Sequence, residues 1–314
     1  MKLVLNACGV DSLGGINLFK KSAEQLIENN IKLLLLYSNE KQIYRINLNE
    51  NVILKKINLK RHFHPFLNIF LDKKTKILIN KYDAIIHFGN FGFFTDINSF
   101  VLIQNLLPFT SNSLKNKVLK FLINKSCKNA HKIIVQLPHV KNFINPKFSE
   151  KILEIGRVEV GQLAYENKKS ILVFGSEVPN KNYKFIVKTF HALDNKKNLT
   201  IINPPNKIEE FNFEILSENN SLENIMSKSS IYFHASDFET VGLPLYEASN
   251  AGLILVAPDL PYMQYFDKGN IFLYEHGNLD DAKRKLLDAI NYRTNTVKTY
   301  TYKENWINLL NELY

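Results

Sequence analysis

Short, continuous apolar runs alternate along this chain with longer stretches in which apolar residues recur every three or four positions. "KLVLNAC" at 2–8 is followed by a glycine-containing loop and by "INLFKKSAEQLIENN", where Ile16, Phe19 and Leu26 stand broadly at helical spacing. "KLLLLYS" then returns as a buried strand, and the pattern continues through "DAIIHFG" at 83–89, "SFVLIQN" at 99–105, a helix near 114–126 and "KIIVQLP" at 132–138. A second series opens with "SILVFGS" at 170–176. It runs on through a helix near 182–193, "NLTIIN", a short helix near 221–228, "SIYFHAS" at 230–236, another helix, "LILVAPD" and "NIFLYE" at 270–275. Such alternation predicts βα units and mainly parallel sheets. The fold class expected is α/β: two doubly wound domains whose ligand-binding loops, at the carboxyl ends of the strands, face each other across a cleft. "NPKFSEKILEIGRVEVGQLAYENKKS" is polar and weakly periodic, which places a first domain at 1–160 and a second at 161–299. "YKENWINLLNELY" reads as a terminal helix, about 300–314, that rejoins the first domain.

Composition changes this picture little. With 314 residues, 45% of them hydrophobic and 22% charged, two ordinary globular domains can be filled. No apolar stretch approaches the roughly 18 residues of a membrane-spanning helix. The start, "MKLVLNACGVDS", reads as a first strand and not as a signal peptide. Cys8 and Cys127 are far apart and lack metal-ligand spacing, so a disulfide or zinc framework has no support and a reducing cytoplasm fits. The net charge of +10 suits a negatively charged partner: nucleic acid, an anionic membrane surface or a phosphate-bearing substrate.

"FETVGLPLYEASNAG", 238–252, decides among these. "SIYFHAS" delivers the chain to the edge of the sheet, and Pro244 suits a first helical turn because its missing N–H would be unpaired there. Gly242 permits close backbone approach, and a helix start preceded by glycine is a ready anion site. Glu239 could accept hydrogen bonds from hydroxyls beside a bound phosphate. Glu247, one turn into the helix, could take a vicinal diol in a two-point contact. Phosphate with two sets of hydroxyls describes a sugar nucleotide, whereas helix-start electrostatics alone would account for Glu247 only.

The extended string "FETVGLPLYEASNAGLILVAPDLPY" resembles the donor-binding signature of the retaining glycosyltransferase family 4, of GT-B fold, as found in bacterial surface-polysaccharide enzymes. The resemblance implies that Glu239 contacts the transferred sugar, that Glu247 holds the ribose, and that amides at Val241, Gly242 and Leu243 meet sugar and phosphate. "VFGSEVPNKN" at 173–182 is similar to the loop in which a basic residue, here Lys181, neutralises the donor diphosphate. Many members carry an arginine five residues earlier; Ser176 stands there, with Arg157 a speculative replacement. "GVDSLGGINLF" resembles the family's glycine-rich loop, in which Gly14 and Gly15 would approach the diphosphate or acceptor. "IQNLLPF" resembles a further segment and puts Asn105 and Pro108 at the cleft edge, with His87 ending a strand on the same rim as a second acceptor candidate.

His62 and His64 lack a third ligand nearby, and no Asp-x-Asp stands in the cleft-forming loops, so no metal is expected. Gly15 occupies the position where a P-loop would need lysine, and no dinucleotide fingerprint occurs. The basic stretch at 113–132 sets Leu114, Val118, Leu119 and Leu122 on one face and Lys115, Lys117, Lys120 and Lys125 largely off it. That pattern is either a sheet-packing helix with a solvated lysine face or a dock for anionic lipid. Nucleic-acid binding is not indicated, because the aromatics form no stacking module.

The resemblance implies a metal-independent, retaining hexosyltransferase without a cofactor, cytoplasmic and peripheral on the membrane. It would move sugar from a nucleoside diphosphate sugar to a saccharide or lipid-linked saccharide. Front-face substitution fits, since the motif has one carboxylate at the sugar and not the pair that a covalent route needs. A non-catalytic sugar-nucleotide or glycan-binding homologue, a GT-B epimerase and an inverting transferase are the alternatives.

Overall fold

The structure is a computed structural model that describes residues 1–313 apart from 59–60, 167, 169, 194–198, 207–210, 217–220 and 268; the side chains of 61–63, 213 and 313 also lie outside the description. The chain divides into two compact units, Met1–Arg157 with Glu304–Tyr314, and Val158–Lys303.

In the first unit, β1 (Lys2–Asn6) leads through α1 (Leu13–Glu28) to β2 (Lys32–Tyr37) and β3 (Val52–Lys56). The short α2 (Leu67–Phe70) and α3 (Lys73–Ile79) precede β4 (Ala84–His87) and β5 (Asn98–Leu102). Then α4 (Leu107–Thr110) and α5 (Leu114–Asn129) precede β6 (Lys132–Val135) and β7 (Ile152–Glu154). The strands form one sheet in the order β3-β2-β1-β4-β5-β6-β7, parallel throughout. β1, β2 and β4 are continuous apolar runs because both of their faces are covered. On one side α1 packs Ile16, Phe19, Ala23 and Leu26 into the core. Its start is capped by Ser12, whose Oγ accepts from the Gly15 amide at 3.2 Å.

The second unit begins with β8 (Gly156–Ala164), which the chain enters from the first. It continues with β9 (Ile171–Phe174), α6 (Tyr183–His191), β10 (Leu199–Ile202), β11 (Asn212–Glu214) and α7 (Leu222–Ser227). After these come β12 (Ile231–Phe233), α8 (Leu243–Asn250), β13 (Ile254–Pro258), β14 (Ile271–Tyr274), α9 (Leu279–Asn291) and β15 (Thr296–Glu304). Its main sheet is again parallel, in the order β11-β10-β9-β12-β13-β14, and β15 pairs with β8 in a separate ribbon. Gly175 is dictated by close approach: a Cβ there would meet Pro204 Cα at 2.6 Å.

The polar stretch between the two series contains β7 and β8. Two expectations are corrected. Among the described residues no α-helix spans about 300–314. The run "TVKTYTYKE" is β15, with Val297 and Thr299 buried and Thr296 and Lys298 exposed, a period of two built from β-branched and aromatic residues. A 3₁₀ turn, Asn308–Leu313, follows. The terminal segment still belongs to the first unit, where buried Trp306 lies 5.4 Å from the Phe88 ring and takes Gln25 Oε1 on its backbone amide at 2.8 Å. Second, of the two readings of α5, packing of its whole apolar face on the sheet does not hold. Its buried positions are Asn116, Ile123, Ser126 and Cys127, while Leu114 and Val118 are exposed. α9 was not anticipated from the sequence, although Asn278 caps it and Asp280 and Asp281 stand in its first turn.

Candidate functional site

β9 and β12 are sheet neighbours although β10 and β11 come between them in the chain, so the direction of progression across the sheet reverses there. Loops diverge from the carboxyl ends of the strands at such a point and leave a crevice. Here the loop after β9 and the loop after β12 are tied together. Asn180 donates its side-chain N–H to the Phe238 carbonyl at 3.2 Å, and its own carbonyl accepts from the Asp237 amide at 2.8 Å. Asp237 also takes the Asn182 amide at 2.6 Å and faces His276 Nε2 at 2.8 Å. Asn182 adopts a left-handed backbone (φ 57°), which turns the chain out of a short 3₁₀ segment, Pro179–Lys181, and into α6.

This bracing brings Lys181 Nζ within 2.5 Å of Glu239 Oε1, although the two residues are 58 positions apart. His234 Nε2 faces the same oxygen at 3.4 Å. Burial alone would push the Glu239 acid up, but the Lys181 ammonium and the His234 ring outweigh it and hold the carboxyl at about 2. Glu239 is therefore an anion at any working pH. Burial also lowers the His234 ring below its ordinary value, against the upward pull of Glu239, so that this imidazole stays neutral.

Immediately downstream, Gly242 caps α8 with φ 75°, a conformation that favours glycine, and Pro244 sits in the first turn. Among the described residues, the backbone N–H groups of Val241, Gly242 and Leu243 donate no hydrogen bond. Three unpaired amides at a helix start, beside a buried carboxylate and an ammonium, form a polar cradle suited to an anion with attached hydroxyls. Glu247 lies one turn into α8 on its exposed side. Ser176 adds no cation: its hydroxyl accepts from the Val178 amide at 3.2 Å and shapes the turn. Arg157 belongs to the first unit.

The remaining expected residues lie in the first unit, around its own reversal point between β1 and β4. Gly14 and Gly15 are inside the first turn of α1, not in a free loop. Space constrains only one of them: a Cβ at Gly15 would meet Val10 Cγ1 at 2.8 Å, and one at Gly14 would meet nothing. His87 ends β4 as expected but is fully buried and does not reach the rim. Its Nδ1 accepts from the Asn6 amide at 3.0 Å, and its ring meets Phe93 edge-on at 4.7 Å. Asn105 is exposed, and its side chain accepts from the Leu107 amide at 2.9 Å in a local turn before α4. Pro108 is buried in α4. His64 is buried against Gly9, while the side chain of His62 lies outside the described residues.

Sequence reasoning missed His234, Asp237, Asn182 and His276. A histidine directly after an apolar strand and five residues before Glu239 was the one available signal.

No protein-family model matches the chain, and no curated protein matches it. Solved structures do. A sucrose-phosphate synthase from Thermosynechococcus elongatus superposes with TM-score 0.68 at 11% identity, over 91% of this chain and 89% of that one. Anabaena HepE, in complex with UDP and glucose, gives 0.66 at 12% identity, covering 93% and 90%. WaaG, a glycosyltransferase involved in lipopolysaccharide biosynthesis, gives 0.65 at 12% identity, covering 93% and 91%. The fold that this chain shares with them, two doubly wound parallel α/β units, is the GT-B fold of glycosyltransferases.

Proposed function

We propose that this chain is a retaining glycosyltransferase of the family 4 type. It would move a hexose from a nucleoside diphosphate sugar to a saccharide or lipid-linked saccharide during bacterial surface-polysaccharide synthesis. The observation that carries the reading is the Lys181–Glu239 pair set beside the unpaired amides that open α8. The UDP held by the structural neighbour HepE favours uracil as the donor base. In this reading the amides of Val241, Gly242 and Leu243 hold phosphate and sugar, Glu247 holds the ribose, and Glu239 contacts the transferred sugar. Gly14 and Gly15 would meet the diphosphate or the acceptor. Lys181 leaves Glu239 for the donor diphosphate and stabilises the charge that develops on the leaving phosphate. That phosphate takes the acceptor proton, so positioning and electrostatics supply the rate without a covalent intermediate or a metal.

The test is calorimetric titration with a panel of nucleoside diphosphates and their sugars, on wild type and on Glu247→Ala. One base should bind, and loss of a charged two-point contact should weaken it by about 10- to 100-fold. Failure of the whole panel would overturn the reading; binding without transfer or donor hydrolysis would leave a non-catalytic homologue. Retention of the donor's anomeric configuration in the product separates the proposal from an inverting enzyme.

The peripheral-membrane part of the proposal rests on α5. Leu114, Val118 and Phe121 form one stripe at 80%, 51% and 67% exposure, opposite its buried Asn116 and Ile123. From 97 to 149 the chain carries eight lysines and no acidic residue. Among the described residues no helix is long and apolar enough to cross a membrane, so contact would be through this face. Vesicles rich in anionic lipid should sediment the protein and neutral vesicles should not, with Leu114→Ser/Phe121→Ser releasing it. Equal binding to both kinds of vesicle, or to neither, would dismiss the idea.

A further inference from the structure

His234 has no role in the reading above, yet it is buried beside Glu239 and closely held. It is 4% exposed, and its backbone is clamped on two sides: its amide donates to the Val256 carbonyl at 2.8 Å, and its carbonyl accepts from the Tyr274 hydroxyl at 2.9 Å. The next turn of backbone is held in the same way, by the Tyr262 hydroxyl on the Ser236 carbonyl at 2.5 Å. The ring therefore has little freedom.

Its two nitrogens face different partners. Nδ1 lies 3.0 Å from the Tyr232 hydroxyl, and Nε2 lies 3.4 Å from Glu239 Oε1. Tyr232 is 1% exposed, and burial, with Glu239 and Glu247 adding to it, keeps its phenol protonated, so that it has a proton to donate. If Nδ1 carried the ring proton instead, the Nε2 lone pair would be aimed at a carboxylate oxygen. Among the described residues Nε2 makes no hydrogen bond, so Tyr232 O–H to Nδ1 leaves an Nε2–H beside Glu239 Oε1 and free to close on it.

Glu239 Oε1 thus faces two donors, the Lys181 ammonium and the His234 imidazole. The two are not interchangeable. Lys181 is about one-third exposed on a flexible stem and is the cation a diphosphate would draw away, whereas His234 is fixed. Once Lys181 turns to the diphosphate, His234 is the remaining donor of the two.

We propose that His234 is a positioning residue for Glu239: its Nε2–H, set by the Tyr232 hydroxyl on Nδ1, holds the carboxylate in place while Lys181 serves the donor diphosphate. This inference rests on the transfer reading. It predicts that removal of the Nε2 donor slows turnover and leaves donor affinity nearly intact, because His234 touches Glu239 and not the nucleotide.

The experiment uses the full chain with a donor that wild type accepts, in four variants. His234→Gln places an amide N–H near the position of Nε2, and His234→Asn places one near Nδ1. His234→Leu has neither, and Tyr232→Phe keeps the ring packing but removes the hydroxyl. His234→Leu and His234→Asn should lose about 10- to 100-fold in kcat, the scale of one lost donor at a reacting centre, with the donor KM little changed. His234→Gln should recover most of that loss. Nitrogen-15 NMR of the free wild-type protein should show the Nε2-protonated neutral ring, and Tyr232→Phe should shift it toward the other tautomer.

Full kcat in folded His234→Leu, or equal losses in the Gln and Leu variants, overturns the proposal and leaves His234 a packing residue. Wild type that transfers to nothing overturns the transfer reading instead. In that case the tautomer still decides whether His234 donates to Glu239, and an Nδ1-protonated ring refutes it.

Discussion

Glu239→Gln is expected to abolish most transfer, by about 100- to 1,000-fold in kcat, while the protein remains folded. The substitution preserves shape and removes one negative charge. In wild type that charge is held at about 2 by Lys181 and His234 against the cost of burial, so the site spends its electrostatics on keeping this carboxylate ionised. A neutral amide still accepts one hydrogen bond but cannot stabilise positive charge that develops on a sugar, and losses of the stated size follow from a single electrostatic contact in a dry site. Stability should respond far less. Lys181 is about one-third exposed and can return to water, so the pair contributes about 1 kcal/mol or less to folding. The check is kcat and thermal midpoint on the same preparation; activity within threefold of wild type would remove Glu239 from the mechanism. Because the carboxyl stays ionised above about 2, the pH–rate profile of wild type should show no acid limb near 4.5 from this residue.

The first unit should be acid-labile well above the pH at which its carboxylates protonate. His64 and His87 are both buried, and among the described residues neither Nε2 finds a hydrogen-bond partner. Burial lowers His64 from its ordinary 6.5 to about 4; burial, with the neighbouring His64, lowers His87 to about 3. In the unfolded chain both rings protonate near 6.5, so between that value and their folded values the unfolded state binds more protons. Stability is then complete above about pH 6.5, falls as pH drops through 6 and 5, and the loss is finished only below the folded values. A depression from 6.5 to about 4 corresponds to roughly 3 kcal/mol. The two rings together therefore reach a large part of the roughly 5–15 kcal/mol that holds a domain folded. Urea midpoints from pH 7.5 to 4.5 should decline steeply, and His64→Leu should flatten the slope even if it lowers the midpoint at pH 7.5. A midpoint that stays level between pH 7 and 5 would show that the rings can charge in place.

The sequence by itself determined what depends on one residue or on a short period. Buried parallel strands are legible because both faces are covered, which makes runs such as "KLLLLY" continuously apolar. The start of α8 is legible because Gly242 and Pro244 are sterically specialised for it. β15 was misread because its alternation, "TVKTYTYKE", has structural meaning only beside β8, and the apolar C-terminal residues suggested a helix. Only the tertiary structure decided which side of α5 is buried. It also decided that His87 turns inward to Asn6, and that Lys181 and His234 converge on one oxygen of Glu239. Those outcomes depend on strand order. Placing β9 against β12 brings together loops almost sixty residues apart, and no local preference of either loop specifies which strand will lie next to its own.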